Sequence, residues 1–290
     1  MKILNLGSLN IDKVYSVPHF AQPEETISSS GFAEFPGGKG LNQSIALARA
    51  GSQVYHAGKI GPDGLLLKET LLQAGVNTDL ILQTGSVTGQ AIIQVNASGE
   101  NCIILLGGAN EEIYASDIDR ILKDFHEGDL LLLQNELSCT DYAIQAGHAK
   151  GIIIAFNPSP IKDNLKKINF AYIDYLMLNE VEGESLSGET DPDTITQHLL
   201  RSYPNLKIVL TLGKKGVIYL DAVSRYYQDA FKANVVDTTA AGDTFTGYFF
   251  SRLFNGEEIP AALEAAAKAA AITVSRKGAS SSIPRAHEVL

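Results

Sequence analysis

The sequence has only two cysteines, Cys102 and Cys139, in 290 residues. Two thiols cannot form a disulfide framework, and neither has a Cys-x-x-Cys partner, so a reducing compartment is expected. Six histidines are scattered, with no His-x-x-x-His or Cys/His spacing, which argues against a zinc site. No run reaches the about 18 to 20 apolar residues that a membrane span needs. The start MKILNLGSLN turns polar too soon for a signal peptide. A cytoplasmic protein without a membrane partner is therefore expected. Positive charge is also scarce: 23 basic against 33 acidic residues leave a formal net charge of −10. Such a surface argues against a nucleic-acid partner, although a local basic pocket stays open.

What is present is globular composition, 45% hydrophobic and 19% charged. Short apolar runs of strand length alternate with helical patterns. Strands are expected at Lys2–Leu6, Gln53–Ile60, Asp129–Leu133, Gly151–Phe156, Tyr175–Leu178 and Lys207–Thr211. Several lack polar alternation, as strands buried on both faces do. Helices are expected at Leu41–Ala50, Gly64–Ala74, Ser116–Phe125 with Ser116 as N-cap, Thr140–Lys150 and Asp193–Ser202. Two alanine-rich helices, Asp243–Leu253 and Pro260–Ser275, close the chain, with Pro260 in a first turn. This alternation predicts an α/β sheet covered on both faces, in one domain spanning 1–290. Two segments interrupt it: about 11–35 is loop-like and β-leaning, and about 88–107 reads as a hairpin, GQAIIQV then NCIILL. A hairpin inserted in an α/β chain is a candidate lid, or else an edge decoration.

Five stretches can carry chemistry, each with a plainer structural reading. Pro36-Gly37-Gly38-Lys39-Gly40-Leu41-Asn42-Gln43 lets backbone amides approach a ligand and offers Lys39 and Asn42 to a hydroxyl-rich one. It is not a Walker A loop, because Ala33 and Gly40 stand where that pattern needs Gly and Ser/Thr. It serves equally as a turn before a helix. Asp237-Thr238-Thr239-Ala240-Ala241-Gly242-Asp243 leads into a helix whose first amides can hold an oxyanion. Asp243 there is either a general base or a first-turn stabiliser. Asn179-Glu180-Val181-Glu182 follows a strand and suits magnesium, or simply starts an acidic helix. Thr211-Leu212-Gly213-Lys214-Lys215-Gly216 is a tight turn that can lie against a nucleotide. Gly7-Ser8-Leu9-Asn10-Ile11-Asp12 follows the first strand, where ligands of open α/β sheets gather. No Gly-x-Gly-x-x-Gly occurs there, which argues against a dinucleotide oxidoreductase.

In order, GSLNID, GGKGLNQS, NEVE, TLGKKG and DTTAAGDTF resemble the ribokinase-like (PfkB) family of carbohydrate kinases, over about Lys2 to Pro284. The resemblance implies a three-layer α/β/α fold with a mainly parallel central sheet and a small β-sheet lid. It implies ATP, Mg2+ and transfer of the γ-phosphoryl to a sugar hydroxyl. GGKGLNQSIALARAG, TGQAIIQVNASGEN with GGAN, and SRKGASSSIP lie nearest the ribose-phosphorylating members. Those members bind K+ as well, and dimerise through their lids. D-ribose is thus the foremost acceptor. Another pentose, a ketose, 2-keto-3-deoxygluconate or a nucleoside stays open, as does a non-catalytic sugar sensor.

By the same resemblance Asn10, Asp12, Gly38, Lys39, Asn42 and Glu136 bind the sugar. Asp243 is the catalytic base, and Ala240, Ala241 and Gly242 form the anion hole. Asn179, Thr211, Gly213, Gly216 and Gly242 meet the nucleotide. Asn179 and Glu182 place Mg2+ through water, and Asp237, Thr239, Thr273, Arg276, Gly278 and Ser282 hold K+, several by backbone. Two residues depart from the pattern: Ala267 stands where an Asn is common near adenine, and Glu24 where the first lid segment commonly has Gly.

Overall fold

A computed structural model describes residues 1–289. Along the chain lie β1 (Ile3–Leu6), β2 (Asn10–Ser16), β3 (Gly31–Gly37), α1 (Lys39–Arg49), β4 (Val54–Ile60), α2 (Leu65–Gln73), β5 (Asn77–Gln83), β6 (Gly89–Val95) and β7 (Asn101–Leu106). Then come α3 (Ala115–Ile121), β8 (Leu130–Gln134), α4 (Thr140–Ala149), β9 (Ile153–Asn157), β10 (Tyr175–Asn179), α5 (Glu180–Ser187) and α6 (Pro192–Ser202). The last part holds β11 (Lys207–Thr211), β12 (Gly216–Leu220), β13 (Arg225–Asp229), α7 (Ala241–Phe254), α8 (Ile259–Val274) and α9 (Ala286–Val289).

Nine strands form one sheet in the order β13-β12-β11-β10-β9-β8-β1-β4-β5. It is parallel from β11 to β5, and β12 and β13 continue it by antiparallel pairing. The unbroken apolar runs have a simple cause. Successive side chains of a strand point to opposite faces, and both faces are covered. In β8, Leu130 and Leu132 join one core while Leu131 and Leu133 join the other. In β10, Tyr175 and Met177 divide from Leu176 and Leu178 in the same way. The first core is closed by α1, α2, α7 and α8, through residues such as Ile45, Leu67, Phe249 and Leu263. The second is closed by α3, α4 and α6, through Ile118, Ile144 and Leu199. Two cores around one sheet make three layers.

A second sheet has the order β3-β2-β6-β7. Its strands β2 and β6 run parallel, and the other pairs antiparallel. Strand β7 is exposed along its whole length, Ile103, Ile104, Leu105 and Leu106 included.

Local starts and stops differ in part from the sequence reading. Ser116 is not an N-cap. The helix α3 begins one residue earlier, where Asp117 accepts the Tyr114 backbone amide at 3.1 Å, and a 3-10 turn takes over at Leu122–Asp124. For α6 the cap is Asp191, which accepts from Asp193 and Thr194 at 3.1 Å, with Pro192 opening the helix. Strand β5 had no counterpart in the sequence reading. It lies at the edge of the sheet and is half-buried, so its apolar signal is weak.

From β1 the chain runs outward to β4 and β5, then returns to β8 on the other side of β1. Crevices of open α/β sheets lie at the carboxyl ends beside such a reversal. Asp12 follows β1 and Glu136 follows β8, so both are delivered to that point.

Candidate functional site

The glycine stretch places α1 against the end of β1. Gly38 has φ of 99°, a left-handed conformation that a side chain would strain, and the helix begins at the next residue. Two backbone amides of this turn reach Ser8: Leu41 N donates to its carbonyl at 3.1 Å and Gly40 N to its hydroxyl at 3.2 Å. That hydroxyl donates to the Glu136 carboxylate, which also accepts from Lys39 N at 3.2 Å. Asn10 is held from the other side by Asn110, whose Nδ2 donates to Asn10 Oδ1 at 2.8 Å. Asn10, Asp12, Gly38, Lys39 and Glu136 thus share one region.

Its electrostatics follow from crowding acids in a dry place. Burial, then the negative charge of Glu136, pushes Asp12 up to about 7. Burial raises Glu136 too, against the pull of the Lys39 cation and the Ser8 hydroxyl. Burial pulls Lys39 down, but Asp243, Glu136 and Glu182 together outweigh it and hold the ammonium above its ordinary range. Lys39 is therefore a permanent cation between three carboxylates.

Asp243 is buried in the first turn of α7. It is set there by a close helix crossing: a Cβ on Gly247 would overlap Ala46 and the backbone of α1. One turn earlier on both helices, Asp243 meets Asn42 and Gln43. Asn42 Nδ2 donates to Asp243 Oδ2 at 3.1 Å, and Gln43 Nε2 donates to Oδ1 at 2.9 Å. Asn42 Oδ1 is left buried without a partner, an acceptor free for a ligand hydroxyl. At the N-cap, Ala240 has φ of 60° and no side chain caps the helix. A non-glycine residue held in that region stores strain, which concentrates at functional sites. The Ala241 amide donates to the Thr238 carbonyl at 3.3 Å, and the next amides of the first turn, at Gly242 and Asp243, are open to an anion.

Two cavities meet at this helix start. One, of about 240 Å³, is lined by Lys39, Asn179, Glu182, Ala240 and Asp243. The other, of about 860 Å³, is lined mainly by apolar side chains such as Phe231, Ala267 and Val274, with Gly213 and Gly216 at its rim. Thr211, Thr238, Ala241 and Gly242 border both. Asn179 and Glu182 cap α5 reciprocally, each side chain accepting the other's backbone amide at 2.9 Å. The plain capping role and the position on the cavity wall therefore coexist.

The loop beside α7 is tied by Asp237. Its Oδ1 accepts from the Thr239 amide at 2.9 Å and hydroxyl at 2.6 Å, and its Oδ2 accepts from Gly278 N at 3.0 Å. Burial alone would raise Asp237, but these donors outweigh it and keep the carboxyl below its usual range. Thr273 Oγ1 donates to Thr244 Oγ1 at 3.0 Å, and Ser282 Oγ to the Ala279 carbonyl at 2.7 Å. The Arg276 guanidinium turns to Glu288 at 2.5 Å, so only its backbone is available here.

Ser8, Gln43, Asn110 and Gln134 received no individual role in the sequence reading. A signal existed. Gln134 ends an all-leucine strand, and a fully buried amide must find partners.

A family of pfkB carbohydrate kinases matches residues 1–286, and the chain belongs to it. The ribokinase of Staphylococcus aureus (strain COL) is 35% identical over 99% of this chain and 98% of its own. The crystal structure of a ribokinase from Cryptococcus neoformans var. grubii serotype A in complex with ADP is 36% identical, with a TM-score of 0.87 over 99% of this chain and 98% of that one. The Arabidopsis thaliana ribokinase complexed with ribose and ATP is 29% identical, with a TM-score of 0.87 over 99% and 97%. The three-layer α/β/α architecture with its separate small sheet is accordingly the ribokinase-like fold.

Proposed function

We propose that this chain transfers the γ-phosphoryl of ATP to the primary hydroxyl of D-ribose, giving ribose 5-phosphate. The observation that carries this reading is the start of α7. One buried carboxylate, Asp243, and a set of uncapped amides stand where two cavities join. One cavity is bounded by Lys39, and the other is a larger, mainly apolar cavity that suits a nucleotide. The ligands of the ribokinases above, ribose with ATP and ADP, support the assignment.

In this mechanism Asp12, Asn10, Asn42 and Glu136 hold sugar hydroxyls, with Gly38 letting the backbone approach. Asp243 accepts the proton of the attacking hydroxyl, which it can do only when positioned for it. The γ-phosphoryl passes through a loose state with charge on its equatorial oxygens. The amides at Gly242 and Asp243, at the positive end of α7, and the Lys39 cation stabilise that charge. Thr211, Gly213 and Gly216 border the nucleotide, and the apolar wall at Ala267 packs against its base.

Asn179 and Glu182 fit magnesium held through water. Among the described residues no group of three or more His, Cys, Asp or Glu gathers, and magnesium is usually bound by few carboxylates plus waters and phosphates. When bound it supplies positive charge against the phosphate oxygens. We place potassium at Asp237, Thr239, Thr273, Arg276, Gly278 and Ser282, several of them through backbone carbonyls, an all-oxygen set that suits it.

We read the chain as one domain with the β2, β3, β6 and β7 sheet as its lid, closing over the sugar and excluding water. The apolar face of β7 then serves as the contact with a second copy. The deciding experiment is ADP formation by purified protein with ATP, tested against D-ribose, 2-deoxyribose, other pentoses, fructose, 2-keto-3-deoxygluconate and nucleosides. Ribose is expected to give the highest kcat/KM. Turnover favouring another acceptor removes the ribose assignment, and sugar binding without any ADP removes the kinase itself.

A further inference from the structure

We propose that Gln43, held in place by Gln134, is a positioning residue that orients Asp243 for proton abstraction. The inference rests on the reading of Asp243 as the base and deepens it.

Gln43 and Gln134 are both completely buried. Gln43 is enclosed and donates to Asp243 itself, so it is placed to act through that carboxylate. An ionised carboxylate can only accept hydrogen bonds. Gln43 must therefore turn its NH2 group to Asp243, which it does at 2.9 Å, leaving its Oε1 on the far side. There Gln134 Nε2 donates to Gln43 Oε1 at 2.7 Å, and also to Asn5 Oδ1 at 2.9 Å. Asn5 passes the polarity on, donating to Ser44 Oγ at 2.8 Å, which faces His56 Nδ1 at 2.8 Å. Burial keeps His56 neutral, its ring pushed down to about 3, so Nδ1 can accept the Ser44 proton.

The direction of this chain has a visible cost. Gln134 Oε1 is buried with no partner. Turning the Gln134 amide over would set oxygen against oxygen at both Gln43 and Asn5. Turning Gln43 over would set its carbonyl against the Asp243 carboxylate. Buried polar groups in a network that served packing alone would be expected to find partners. Here two atoms of the network, Gln134 Oε1 and His56 Nε2, stay unmet, and a donor is fixed on Asp243 Oδ1. With Asn42 on Oδ2, both oxygens are pinned and the carboxylate plane cannot rotate freely. The charged groups acting on this position are Asp243 itself and, around it, Lys39 and Glu136.

The test uses the full chain with ATP and D-ribose, following kcat and both KM values for Gln43→Met and Gln43→Glu. For Gln43→Met, kcat falls by on the order of tenfold to a hundredfold, the scale of a misplaced catalytic group, with both KM values within about twofold. For Gln43→Glu, the new carboxyl donates like the amide while protonated and repels Asp243 once ionised, and its surroundings raise its titration toward neutrality. The ratio of its kcat to that of the unaltered protein is therefore highest at acid pH and falls as pH rises. A merely structural residue gives a flat ratio. A flat ratio for folded Gln43→Glu, or a Gln43→Met kcat within about twofold of the unaltered protein, overturns the proposal. If Gln43→Met does not fold, the isosteric Gln43→Glu decides alone. Asp243→Asn separates the two claims: normal turnover there overturns the base reading, whereas an inactive Asp243→Asn beside unaffected Gln43 variants overturns only this inference.

Discussion

Gln43 on α1 donates to Asp243 on α7 at 2.9 Å, across 200 positions of sequence. That contact joins the glycine stretch to the small-residue helix start, two segments that are ambiguous singly. Each supplies what the other lacks: amide donors on one side, a carboxylate beside open helix amides on the other.

Removing the proposed base tests the centre of the mechanism. Asp243→Asn is expected to lower kcat by at least about 10²-fold, the usual contribution of a general base. The variant should still melt cooperatively, because Asp243 lies at the site and not within the apolar cores. Coupled ADP assays and circular dichroism check both parts.

Asp12 links stability to pH. Its pKa is pushed up to about 7 by burial and then by Glu136, from an ordinary 3.8. Folding therefore favours the protonated form, so the benefit is fully present below the unfolded value. As pH rises from about 4 to about 7 the unfolded chain ionises first, and stability is lost until the folded carboxyl also ionises. Asp12→Asn removes this slope. Its melting temperature relative to the unaltered protein is expected to rise across that window. An unchanged difference contradicts the raised Asp12.

The proposed potassium set around Asp237 predicts a monovalent requirement. Activity should be higher with potassium than with sodium or a bulky organic cation at equal ionic strength. Asp237→Ala should flatten that preference while sugar KM changes little. Equal rates with all cations in the unaltered protein remove potassium from the scheme.

The exposed apolar strand β7 predicts pairing through the small sheet. Ile103, Ile104, Leu105 and Leu106 are each at least 50% exposed, an apolar stretch that water disfavours. Light scattering should give a dimer, and Ile104→Glu should shift it toward monomer. A monomeric unaltered protein at working concentration contradicts the interface.

Much of the fold was legible because local patterns agreed with it. The run DLLLL could only be a strand buried on both faces, and its residues do divide between two cores. GQAIIQV and NCIILL are strands β6 and β7 to the residue, because a turn with Asn96 and Gly99 separates them. The start of α3 and the edge strand β5 were not legible, since weak capping and half-burial leave little local signal.

The sequence by itself determined the layers and the small-residue start of α7. Composition, periodicity and turn chemistry act over a few residues, so a short window carries them. Only the tertiary structure decided which groups meet. The α1–α7 crossing at Gly247 brings Asn42 and Gln43 onto Asp243, and the β1–β8 pairing brings Gln134 under Gln43. Hydrogen bonds act only within a few ångströms, and charge–charge effects only within about 10 Å at ordinary salt. Their partners are therefore chosen by packing of distant segments, and no local pattern records that choice.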